Sequence, residues 1–163
     1  MTTRSKTTIF LGDDDRLDFL RRLDGVIRRH SWVCQAYCVL STHYHLLVTT
    51  PNPDLAAGMQ RLNGAYASQF NDRYGDFGHV FAGRYHSTLV EGDGHLLELF
   101  RYIALNPVRA GLCKRPASWL WSSYPIALGM QPAPRFLDLG GVFRLFGRDL
   151  ERARERLRAF VED

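Results

Sequence analysis

The sequence predicts an α+β fold, in which helices cover an antiparallel sheet, and three observations predict it. A capped amphipathic helical pattern comes early. A long β-branched and aromatic run follows it directly. Further helical patterns then sit between short loops, giving the order β–α–β–β–α–β–α with no internal repeat. The 163 residues suffice for one domain of ordinary size with a proper core.

The run GDDDRLDFLRRLDGVIRRH reads as the first helix. Asp13 to Asp15 supply an N-cap and negative charge at the positive end of the helix dipole, and arginines collect at the other end. Leu17, Leu20, Leu23 and Ile27 form its expected apolar stripe. SWVCQAYCVLSTHYHLLVTTP then reads as two adjacent strands broken near Ser41–Thr42, with Pro51 and Pro53 ending the second. Residues 54–73 predict a second helix, with Leu55, Met59, Leu62, Tyr66 and Phe70 spaced at three and four.

VFAGRYHSTLVEG suits a hairpin or a bulged strand. His95 to Leu105 predicts a third helix, stopped by Pro107. A turn-rich segment and a short element containing WLWSSYP lead to a Pro-bearing linker, residues 129–136. A charged helical tail occupies 137–163, with Leu150, Ala153, Leu157 and Phe160 on one side. The expected organisation is a main domain over 1–128, this linker, and the tail.

Composition narrows the function classes. MTTRSKTTIF lacks the apolar core of a secretory signal, and no apolar run approaches the length of a membrane span, so a cytoplasmic protein is expected. Three cysteines, Cys34, Cys38 and Cys113, argue against a disulfide framework. Cys34 and Cys38 would lie about 13 Å apart along one strand, too far for a bridge or a shared zinc, and read as buried structural thiols. The net charge of +4 is compatible with a polyanionic partner without demanding one.

Two constellations can carry chemistry. His43-Tyr44-His45 lies in a strand, so the two imidazoles share one face about 6.6 Å apart, and Tyr44 faces the other layer. That spacing suits one shared divalent ion; two ordinary polar residues on a strand produce the same tripeptide. On the third helix, His95, Glu98, Tyr102 and Asn106 form a polar row beside the apolar row of Leu96, Phe100, Ile103 and Ala104. Tyr102 there fits a nucleophile, and equally an amphipathic ring at the rim of the core. Tyr66 is the rival tyrosine, but it sits inside the apolar stripe of the second helix. Asn71 is five residues on, about 140° around the helix, so Tyr66 reads as core.

THYHLLV resembles the His-hydrophobe-His strand of HUH endonucleases, and RYIALNPVRAGL resembles the nucleophile-bearing segment of REP-associated tyrosine transposases. GHVFAGRYHSTLV and WLWSSY are similar to that family's hairpin and Trp-Ser-Ser element, in the same order. The resemblance covers most of residues 1–128 and implies a ferredoxin-like antiparallel sheet with packed helices. It further implies His43, His45 and Asn106 as ligands of Mg²⁺ or Mn²⁺, and Tyr102 as the nucleophile.

The implied function is a single-stranded DNA endonuclease and strand transferase that forms a 5′-phosphotyrosine intermediate on hairpin DNA, as monomer or homodimer. Arg84, Tyr85 and Arg109 are candidate DNA contacts, through phosphate pairing and base stacking; each is also an ordinary surface residue by type. Family members open with a fuller first strand ending in a Gly-Asn turn. This chain opens at Met1-Thr2-Thr3-Arg4, so a shortened first strand and an open sheet edge are expected. Two rival readings remain: a catalytically inactive single-stranded nucleic-acid-binding protein of the same fold, and a metal hydrolase that uses water as nucleophile.

Overall fold

The computed structural model describes residues 2–4 as backbone and 7–163 in full. Met1, Ser5 and Lys6, part of the expected shortened first strand, lie outside the described residues. Strands β1 (Thr2–Arg4), β2 (Val33–Val39) and β3 (His43–Thr49) form an antiparallel sheet in the order β1-β3-β2. Helices α1 (Asp13–His30) and α2 (Leu55–Tyr74) pack together on one face; α3 (Gly92–Arg109) covers the other. Short helices α4 (Ser123–Ala127) and α5 (Gly140–Arg144) precede the terminal helix α6 (Leu150–Glu162). The expected α+β, ferredoxin-like arrangement is present, with its fourth strand unformed.

That fourth strand was expected within residues 80–92. Among the described residues the segment forms no strand, and His86 alone holds an isolated bridge.

The start of α1 also differs from expectation. Gly12, in extended backbone, is the N-cap, and Asp15 caps from inside the helix. The Asp15 carboxylate, wholly buried, accepts hydrogen bonds from the Leu11 and Gly12 amides at 2.8 and 3.2 Å. It also accepts from Tyr74 Oη at 2.8 Å and pairs with Arg73, so it ties the head of α1 to the tail of α2. The buried stripe of α1 is Phe19, Leu23, Val26 and Ile27, whereas Leu17 is 42% exposed.

The strand period of two divides the molecule into two cores. Tyr44 and Leu46 face α1 and α2, packing with Phe19, Leu62 and Tyr66, while Leu47 faces α3 with Phe100 and Ile103. A register shift between Cys34 and Ala36 re-phases β2. Cys34 and Tyr37 therefore join the first core, and Ala36 and Cys38 the second. Both thiols are free and buried as expected, on opposite faces, and burial pushes the Cys34 thiol up to about 12.

Pro107 does not stop α3, which runs on to Arg109. The proline sits in the last turn, so its missing N–H removes a single ladder bond, and burial against the second core holds the turn together. The C-terminal residues complete that core. Val142, Leu157 and Val161 are buried in it, and Tyr124 Oη donates to Glu162 at 2.9 Å. On α6 the buried side is Ala153, Leu157 and Val161, with Leu150 largely exposed.

Trp32 locks α1 to α2 at their other ends. Its indole Nε1 donates to Asp54 at 2.9 Å, and His30 Nδ1 lies 2.7 Å from the same carboxylate. A Cβ on Gly58 would meet the Trp32 ring at 2.2 Å, so only glycine permits this approach. Gly58→Ala should therefore destabilise the fold by about 1–3 kcal/mol through overpacking, measured by urea denaturation; an unchanged midpoint would refute the contact.

The bonds from Trp32 and His30 hold the Asp54 carboxyl below the usual carboxylate range. A depressed folded pKa stabilises above the unfolded value and loses that contribution as pH falls through the folded one. The stability gap between wild type and Asp54→Asn should be full at neutral pH and close in acid below about pH 4. Chemical denaturation at several pH values checks this.

Candidate active site

Alternation along β3 turns His43 and His45 toward α3, where His45 meets Tyr102. The two imidazoles stand edge to face, with ring centres 5.0 Å apart. His45, 2% exposed, meets the Tyr102 ring edge to face at 5.3 Å. His43 is half-buried, with Thr42 Oγ1 3.0 Å from its Nδ1. Tyr44, between them, points into the first core and donates to Asn63 at 2.5 Å.

The polar row of α3 supplies the opposite wall. Tyr102 is half-buried, and Asn106, one turn on, is almost wholly buried. Asn106 Nδ2 donates to the Tyr102 carbonyl at 3.2 Å, which fixes the amide plane and leaves Oδ1 as its acceptor end. The exposed Arg109 places its guanidinium carbon 5.2 Å from the centre of the Tyr102 ring, a cation–π contact that sets positive charge beside the phenol. His43, His45, Tyr102 and Arg109 thus form one chain of contacts, and Asn106 adjoins it through the helix.

The other two sequence candidates lie apart. Arg84 is exposed on the irregular segment after α2, and Tyr85 is half-buried against the first core. Neither lines the groove of about 610 Å³ that His45 and Tyr102 share with residues 46–50, at the end of β3, and with residues 86–90. His86, Ser87 and Thr88 do line it, and the sequence reading passed over them. The available signal is His86 itself, a polar aromatic directly after the Arg84-Tyr85 pair.

The rival tyrosine is excluded by its surroundings. Tyr66 is 1% exposed, its hydroxyl donates to the Ile9 carbonyl, and burial pushes its phenol well above the ordinary range. Among the described residues no group of three His, Cys, Asp or Glu gathers at any point, so the His43–His45 pair has no carboxylate or thiolate third member. No helix among them is long and apolar enough to cross a membrane.

Among solved structures, the fold is similar to that of a REP-associated tyrosine transposase bound to a REP hairpin. The TM-score is 0.64 at 18% identity, over 86% of this chain and 87% of that one. No curated protein matches the chain significantly. The family model described as "Transposase IS200 like" matches residues 1–106, a span that runs from β1 through the His43–His45 strand to Tyr102 and Asn106. Because that match covers well over half of the sequence, the chain belongs to the IS200-like transposase family.

Proposed function

We propose that this transposase-family chain is a metal-dependent endonuclease and strand transferase acting on single-stranded hairpin DNA through a 5′-phosphotyrosine at Tyr102. The observation that carries the reading is the contact of the Tyr102 ring with His45 at 5.3 Å, with Arg109 beside the same ring. The only near-miss among its rivals, Tyr66, is sealed in the core.

In this mechanism Tyr102 Oη attacks the scissile phosphorus. The new O–P bond forms as the bond from phosphorus to the 3′-oxygen breaks. The phenolic proton passes to solvent, and the leaving 3′-oxygen takes one up. Attack by another 3′-hydroxyl on the phosphotyrosine reverses the sequence, restoring Tyr102 and joining a new strand. Arg109 favours the phenolate that develops during attack, and helix α3 holds the ring in place. His43, His45 and Asn106 Oδ1 would hold Mg²⁺ or Mn²⁺. Two imidazole nitrogens and one amide oxygen fit an ion that accepts both donor types, and three protein ligands leave positions open. When bound, such an ion supplies charge stabilisation at the scissile phosphate.

Arg84, Tyr85 and Arg109 are the proposed DNA contacts, the two exposed guanidiniums for phosphates and the half-buried ring for stacking. Residues 1–128 are read as the catalytic unit, 129–136 as a linker and 137–163 as a tail whose α6 braces α3. The protein is read as cytoplasmic, working as a monomer or homodimer.

With a labelled hairpin oligonucleotide and Mn²⁺, wild type should give a covalent protein–DNA band on a denaturing gel. Tyr102→Phe should abolish it while hairpin binding persists. Cleavage that survives Tyr102→Phe would point to water as nucleophile, and hairpin binding without any adduct in wild type would point to a non-catalytic binding protein. Metal binding has its own readout. Mn²⁺ should raise the melting temperature of wild type and leave His43→Ala and Asn106→Ala unmoved; equal shifts in all three would place the ion elsewhere.

A further inference from the structure

The turn between β2 and β3 delivers the first histidine of the site, and several segments grip it. The Ser41 carbonyl accepts hydrogen bonds from the Ile9 and Phe10 amides at 2.9 and 3.0 Å. The Leu40 amide donates to the His43 carbonyl at 2.9 Å and closes the turn on itself. Arg16, almost wholly buried, reaches the same turn, with Nη2 3.4 Å from Ser41 Oγ. Two tryptophans flank that arginine. Its guanidinium carbon lies 5.5 Å from the ring centre of Trp119 and 5.9 Å from that of Trp121, so a desolvated cation sits against two aromatic faces. Trp119 Nε1 donates to the Val39 carbonyl at 3.1 Å, and the Val39 amide donates to the Trp121 carbonyl at 2.8 Å. The WLWSSY element thus packs at the end of β2 that leads into the turn.

One side chain of this fixed turn touches the site. Thr42 Oγ1 lies 3.0 Å from His43 Nδ1. A neutral imidazole carries one proton between its two nitrogens, and the bond made by one nitrogen decides what the other offers to a metal. A hydroxyl can accept from Nδ1–H or donate to a bare Nδ1. In the first case Nε2 keeps its lone pair for an ion. In the second, a proton stands where the ion would bind. With Thr42 holding Nδ1, Nε2 is the nitrogen left to His43 as a ligand, and only the first arrangement makes it one.

We infer that Thr42 is a positioning residue for His43: its hydroxyl accepts the Nδ1 proton, so that Nε2 is presented as the ligand atom for the divalent ion. The packing of Arg16 between Trp119 and Trp121 keeps the turn, and with it the hydroxyl, in place beside the ring. The inference rests on the reading of His43, His45 and Asn106 as a metal site and adds a residue outside that ligand set.

The test uses the full chain, free of metal, with ¹⁵N in its histidine rings, studied by NMR in alkaline buffer where the ring is neutral. The signals of His43 are those that disappear in His43→Ala. Wild type and Thr42→Ser should both show the His43 proton on Nδ1. Thr42→Val keeps the shape of threonine and lacks the hydroxyl, and should shift His43 toward the Nε2–H form that free histidine favours. A merely structural role for Thr42 does not move this ratio. Calorimetric titration with Mn²⁺ should give about tenfold weaker binding to Thr42→Val than to wild type, the scale of losing a ligand's outer partner, with Thr42→Ser close to wild type.

An Nε2–H form of His43 in wild type would overturn the inference without recourse to any variant. So would a wild-type tautomer or a wild-type Mn²⁺ affinity in Thr42→Val, beside a His43→Ala that no longer binds the ion; the metal site itself would then stand. Wild type that binds no Mn²⁺ would overturn the metal reading and the role of Thr42 together.

Discussion

The phase of β3 is the constraint on which the rest depends. Seven residues, His43–Thr49, alternate between two different chemistries. Tyr44 and Leu46 serve the aromatic core under α1 and α2, and His43, His45 and Leu47 serve the face under α3. A slip of one residue would send both imidazoles into the Phe19–Tyr66 cluster and Tyr44 to the α3 face. Tyr44 resists that slip. It is fully buried, its ring lies 4.5 Å from Phe19, and its hydroxyl is bound by Asn63. The site is thus positioned by a residue that takes no part in its chemistry.

The second half of the site needs an equally firm α3, and packing against the sheet and against α6 supplies this. Phe100, Ile103 and Ala104 face β2 and β3, while α6 lies on another flank. Arg101 stacks over Phe160 at 5.5 Å, and Tyr124 binds Glu162 near the end of α6. The last turn carries Asn106 and Pro107, both buried. The Asn106 side chain adds a bond to the Tyr102 carbonyl within that turn, and the same bond orients the amide.

Much of this was legible in the sequence for simple reasons. Period-two alternation fixed the faces of His43 and His45, and the three-and-four spacing of α2 placed Tyr66 in the core, where it is found. What failed to show involved contacts between distant segments. The re-phasing of β2 at Cys34–Ala36 leaves no local mark, and it put the two cysteines on opposite faces. Residues 80–92 have strand-forming composition, yet among the described residues they form no strand and His86 holds an isolated bridge; composition does not report whether a strand partner is in reach. Leu17 fits an apolar stripe by spacing and lies instead at the mouth of a cleft made by residues a hundred positions later. Spacing reports which side of a helix is apolar; it does not report whether that side meets a core or a groove.

Seven tyrosines are present, and their surroundings separate one from the rest. Burial raises the phenols of Tyr37, Tyr66 and Tyr124 well above the ordinary range, and Tyr66 and Tyr124 also spend their hydroxyls on Ile9 and Glu162. Tyr74, likewise raised by desolvation and by Asp15, donates to that carboxylate, so losing its proton would put two negative charges in contact. Tyr44 is held by Asn63, and Tyr85 leans on the first core without reaching the groove. Tyr102 alone combines partial exposure, a groove, a guanidinium beside its ring and a histidine, His45, against it. Activation of a phenol calls for local positive charge or a proton acceptor beside it. Tyr102 is the tyrosine among the described residues that both lines a groove and carries a guanidinium over its ring, which is why the proposed nucleophile is placed on α3.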